Sequence, residues 1–86
     1  MIQVKIVNKL GLHARASAAF VKEASRFESD IFVIKGENRV NGKSIMGLLT
    51  LAAACGEEIG LEAEGADATQ ALKALKLLID NKFNEE

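Results

Sequence analysis

An α+β fold with the element order βαββαβα is predicted for this chain, a four-stranded antiparallel sheet with helices on one face. Three observations predict it. Apolar residues alternate, or gather in short β-branched runs, where strands are placed. Elsewhere they recur at helical spacing. Between these segments the chain turns at glycine, of which there are seven, with no proline at all. Such a sheet, covered on one side, buries every apolar stripe the pattern provides. Element order alone leaves the strand pairing open.

The elements follow in order. Ile2, Val4 and Ile6 alternate with Gln3 and Lys5, a half-buried strand broken by the stretch from Asn8 to Gly11. From about Ala14 to Phe27, the residues Ala16, Phe20, Ala24 and Phe27 share one helical face with Val21 beside them, opposite Lys22, Glu23 and Arg26. Ile31 to Ile34 is a strand, and Gly36-Glu37-Asn38 turns the chain into a second short strand ending at Val40. Ser44 stands as N-cap before Ile45, Leu48, Leu49 and Ala52, a short helix ended by Gly56. Ile59, Leu61 and Ala63 alternate with Glu58, Glu62 and Glu64, a strand with one wet face. Asp67, with Gln70 reaching back, is expected to cap the last helix, whose buried stripe is Ala68, Ala71, Leu72, Leu75, Leu78 and Ile79.

Composition sets the broad class. The chain has 86 residues, 49% apolar and 27% charged, the balance of one soluble domain over 1–86. A net charge of -1 removes the electrostatic case for nucleic-acid binding. Four Phe without Tyr or Trp offer little for stacking bases. No apolar run approaches the ~20 residues of a membrane span, and the first residues do not read as a signal peptide, so a cytoplasmic location is expected. A single cysteine makes neither an internal disulfide nor a Cys-rich metal site. No cofactor and no metal are expected.

Chemistry concentrates at one junction. His13, the one histidine, stands where the loop enters the first helix, with Arg15 two residues on. The first N–H groups of a helix lack intrahelical partners, and with the helix dipole they favour an anion. Arg15 adds a fixed charge and a fork suited to phosphate oxygens. An imidazole beside such a site points to phosphoryl acceptance. The plain alternative is a surface histidine with no task. Ser44 either caps its helix or, as a phosphorylation site, places a dianion at a helix start that tolerates it. Ile45 falls on the buried stripe with Leu48 and Leu49, whereas Met46 lies off it and is the better exposed candidate. Cys55 is expected to be a small buried hydrophobe, and Glu57, Glu58, Glu62 and Glu64 a solvated face.

Gly11-Leu12-His13-Ala14-Arg15-Ala16-Ser17 resembles the active-site segment of HPr, the histidine phosphocarrier family of the phosphoenolpyruvate-dependent phosphotransferase system. Val40-Asn41-Gly42-Lys43-Ser44-Ile45-Met46-Gly47-Leu48 resembles its regulatory-serine segment, and Glu64-Gly65-Ala66-Asp67 also fits. The resemblance implies an open-faced β-sandwich with sheet order 1-4-2-3 and three helices on one face. It implies a monomeric carrier rather than an enzyme. Nδ1 of His13 would take a phosphoryl group from enzyme I and pass it to a IIA domain, Arg15 would assist, and the backbone N–H groups of Ala14 and Arg15 would cap the group. Ser44 matches the serine modified by HPr kinase/phosphorylase, through which a transcription regulator would read the protein. Phe20, Ile45, Met46 and Leu49 match the docking surface, and the facing surface of enzyme I is acidic in this family.

One departure stands out: many sugar-type members carry Pro after the arginine, where this chain has Ala16. Ala-Ser at this point also resembles nitrogen-type regulatory carriers. A purely regulatory module read through phospho-Ser44 is disfavoured by the intact His13 and Arg15. A small hydrolase using His13 as a base has no carboxylate or metal set behind it.

Overall fold

In the computed structural model, which describes residues 1–85, the predicted order is realised. It runs β1 (Ile2–Lys5), α1 (Ala14–Ala24), β2 (Asp30–Lys35), β3 (Asn38–Asn41), α2 (Ile45–Leu51), β4 (Glu58–Glu64) and α3 (Ala68–Asp80), followed by a 3₁₀ turn at Lys82–Asn84. The sheet is antiparallel in the order β1-β4-β2-β3, the order the resemblance implied.

Register explains the two faces. Val4 lies opposite Ile59, and Leu61 is paired with Ile2 on one side and Val33 on the other. With Ile31 these residues form the sheet's contribution to the core. Against them α1 lays Ala16, Phe20 and Ala24, α2 lays Leu48 and Leu51, and α3 lays Ala71, Leu75 and Ile79. Spacings of three and four put each set on one side of its helix. The opposite sheet face is polar: Arg39 pairs with Glu62 at 2.7 Å and its guanidinium stacks 3.7 Å over the Phe32 ring.

Four expectations are corrected. The helix expected to reach Phe27 ends at Ala24, and the next residues close on tighter bonds, Arg26 N–H to Glu23 and Phe27 N–H to Ala24. α2 ends at Leu51, well before Gly56, because Ala52 itself adopts the left-handed conformation at φ 50°. Lys35 Nζ holds that end by donating to the carbonyls of Leu51 and Ala52, and it pairs with Glu57 at 3.0 Å. Asp67 does not cap α3 with its side chain. Its carboxylate instead accepts the N–H groups of Glu28 and Ser29 and the Ser29 hydroxyl, tying the α1–β2 loop to the start of α3. Gly65, at φ +145°, makes this approach possible, since a Cβ there would lie 2.8 Å from Ser29 Cα. Cys55 is exposed rather than buried, in the loop between α2 and β4.

The turn after α3 had no forecast. Lys82, Phe83 and Asn84 are all left-handed, with φ of 56°, 56° and 60°. Phe83 is nevertheless buried in the core, 6% exposed, and so anchors the segment.

Candidate functional site

The site begins with the backbone of residues 8 to 13. Gly11 takes φ +66°, and a Cβ at this position would lie 2.5 Å from the Ala53 carbonyl oxygen. Only glycine fits. The close approach lets Leu12 N–H donate to that carbonyl at 2.9 Å, which clamps the loop onto the segment after α2. Leu12 is buried and its own carbonyl accepts from the Ser17 hydroxyl. The chain therefore enters α1 in one fixed direction, with His13 as the N-cap residue at φ -77°, ψ -178°.

The His13 ring does not cap the helix. Ser17 is the first residue of α1 whose N–H reaches a backbone carbonyl, that of His13 at 2.8 Å. The N–H groups of Ala14 and Arg15, ahead of it in the first turn, have no backbone acceptor among the described residues, as expected at a helix start. Arg15 is exposed and outside every ion pair among the described residues. With Lys9, Leu10 and Glu85 it lines an open depression of about 240 Å³.

The structure adds two residues that the motif reading missed. His13 Nε2 lies 2.9 Å from Glu85 Oε2, and Glu85 Oε1 accepts from Asn8 Nδ2 at 2.7 Å. A carboxylate only accepts, so the neutral ring must carry its proton on Nε2. Nδ1 is then the nitrogen with the free electron pair. The Asn8 amide donor, followed by His13 and by the charge of Arg15, holds the Glu85 carboxyl below its ordinary pKa, against the opposing effect of burial. Asn8 appeared in the sequence as a strand breaker only. Glu85 is separated from His13 by 72 positions, and no local pattern joins them.

The second candidate region is α2. Ser44 caps it, its hydroxyl accepting from Gly47 N–H at 3.1 Å. Met46 is 73% exposed, as its place off the stripe predicted. Ile45 and Leu49 are 41% and 38% exposed, so the helical stripe misplaced both as core, and only Leu48 and Leu51 are buried there. Phe20, expected at the docking surface, is 1% exposed. It packs in the core on the inner face of α1 and so presents no surface to a partner.

Known proteins resemble the chain over nearly its whole length. The family model described as the PTS HPr component phosphorylation site matches residues 1–81. The phosphocarrier protein HPr of Neisseria meningitidis serogroup A is 56% identical over 82 residues, covering 95% of this chain and 92% of that protein. The phosphocarrier protein NPr of Shewanella violacea is 45% identical over 83 residues, covering 96% and 91%. A crystal structure of HPr-C-His from Thermoanaerobacter tengcongensis superposes with a TM-score of 0.95 at 49% identity, over 99% of this chain and 96% of that one. A segment matched from β1 to the end of α3, the motif around His13 and the shared sheet order lead to one assignment: this chain belongs to the HPr family of phosphotransferase-system phosphocarriers.

Proposed function

We propose that His13 accepts a phosphoryl group on Nδ1 from enzyme I, charged by phosphoenolpyruvate, and hands it to a IIA domain. The observation that carries this reading is the engagement of Nε2 by Glu85, which leaves Nδ1 as the nucleophile. The Nδ1 electron pair forms the N–P bond, and the bond to enzyme I breaks with its electrons returning to that protein. The Nε2 proton stays in place. Arg15 and the first N–H groups of α1 hold the phosphoryl oxygens while negative charge passes between the proteins. The chain is then a carrier and a substrate of its partners, and Ile45, Met46 and Leu49 form the apolar surface on which they dock.

The test is incubation with enzyme I and phosphoenolpyruvate. A carrier takes up one acid-labile phosphate per chain; absence of label rejects the reading, and continuous phosphate release makes the protein a hydrolase. A nitrogen-type regulatory role is the second reading, supported by Ala16 after the arginine and by the likeness to an NPr. Transfer assays to sugar-type and nitrogen-type IIA domains separate the two.

Ser44 is the regulatory position in this reading, modified by an HPr kinase/phosphorylase and read by a transcription regulator. Its place at the start of α2, directly before Ile45 and Met46, supports that role. The protein works as a monomer in the cytoplasm, where phosphoenolpyruvate is made. A Cα radius of gyration of 11.2 Å fits one self-contained domain of this length. Among the described residues no helix is long and apolar enough to cross a membrane.

A further inference from the structure

Asn8 is fully buried, yet phosphoryl transfer as described gives it no part. Its Nδ2 faces two acceptors, the Gly11 carbonyl at 2.8 Å and Glu85 Oε1 at 2.7 Å. That pair fixes which way the amide points, since the reverse would set oxygen against oxygen. Its own Oδ1 has no partner among the described residues. Burying an unpaired carbonyl is costly, so the two donations are what the position serves. The bond to Gly11 shapes the loop. The bond to Glu85 crosses 77 positions of sequence and ends on the carboxylate that holds the His13 ring.

We infer that Asn8 is a positioning residue for phosphoryl transfer, acting on His13 through Glu85. Held by Asn8, the carboxylate stays against Nε2, keeps the ring proton there and presents Nδ1 with its electron pair free. As the N–P bond forms, the ring becomes cationic, and a carboxylate already in place stabilises it without rearrangement. The inference rests on the reading of His13 as phosphoryl acceptor.

The segment that delivers Glu85 needs such a tether. Three consecutive left-handed residues precede it, a conformation that side chains disfavour, and Phe83 is their apolar anchor. Among the described residues His13 contacts the carboxylate, and Lys9 and Arg15 line the same depression. All three are cationic or can become so. Asn8 is the neutral donor that fixes one oxygen from the buried side. The family match ends at residue 81, so Asn8 and His13 lie inside the matched segment and Phe83 and Glu85 beyond it.

The experiment uses the full chain, as parent, Asn8→Ala, Glu85→Ala and the double variant. Transfer from enzyme I is followed against carrier concentration, and the His13 ring nitrogens and the Glu85 carboxyl are followed by NMR. Each single variant is expected to lower kcat about 10-fold with KM unchanged, because geometry rather than docking is lost. The double variant should be no slower than Glu85→Ala alone, since both changes cut one chain of contacts. In Asn8→Ala the Glu85 carboxyl should titrate higher and the His13 Nε2 resonance should move. Parental kcat in either single variant, multiplied effects in the double, or an unmoved Glu85 titration overturns the inference. If Asn8→Ala does not fold, Glu85→Ala still decides by its kcat and Nε2 resonance. If enzyme I fails to label the parent, the carrier reading falls, and the two NMR readouts still decide whether Asn8 controls the ring.

Discussion

In the proposed role the chemistry rests on a single ring nitrogen. Glu85 occupies Nε2, which leaves Nδ1 as the nitrogen for the proposed phosphoryl transfer. His13→Ala is expected to abolish acid-labile phosphate while leaving the circular dichroism spectrum unchanged, because the ring caps no helix N–H. Arg15→Ala should slow transfer by ~100-fold, the loss typical of removing one group that stabilises charge in transit. Stopped-flow transfer rates check it, and parental rates would mean that the backbone N–H groups suffice. At this scale the motif was legible because His13 and Arg15 are neighbours in sequence. Asn8 and Glu85 were not, since their meaning arises only when the turn after α3 returns the chain to the loop before α1.

At the scale of elements, caps and loop ties carry the testable energetics. Ser44→Ala removes the hydroxyl that accepts from Gly47 N–H and should cost about 1 kcal/mol in urea denaturation. Ser44→Asp keeps an acceptor there and adds a charge beside exposed Ile45 and Met46. Against an acidic enzyme I it should raise the apparent KM, slowing transfer at low carrier concentration by ~100-fold. An unchanged KM rejects docking over α2. Asp67 gives a pH test. The Ser29 hydroxyl, then the Glu28 N–H, hold its carboxyl below the ordinary value. A depressed pKa in the folded state means stability that is present above the unfolded pKa and lost as pH falls through the folded one. Asp67→Asn should therefore lower Tm at neutral pH, with the gap to the parent closing as the solution is acidified into that range. Thermal melts of both proteins between pH 7 and the acid limb check it. The error over Asp67 is instructive: an acidic residue before a helix reads as a cap, but two N–H groups of a distant loop are better satisfied by it.

At the scale of the whole molecule, element order was read from pattern alone, because the period of apolar residues reports which face is buried. Strand order was not, since β1 and β4 alternate in the same way and neither names its partner. It came from the resemblance, and the pairing of Val4 with Ile59 agrees with it. The closing turn escaped notice because one Phe among polar residues makes no period. Phe83→Ala should cost about 3 kcal/mol by emptying its place in the core. It should also free Glu85 from His13, which a change in the His13 ring resonances would show.

The sheet order also sets a timetable for synthesis. β1 is the first strand made, yet its neighbour is β4, the last, and β4 also stands between β1 and β2. Until residues 58–64 leave the ribosome, β1 has no mate and the hairpin of β2 and β3 has no centre to join. At roughly 5–20 residues per second this wait lasts on the order of seconds. A nascent chain thus displays the His13 loop long before the residue that orients the ring exists. Glu85 can reach the His13 ring only after β4 and α3 have both been made.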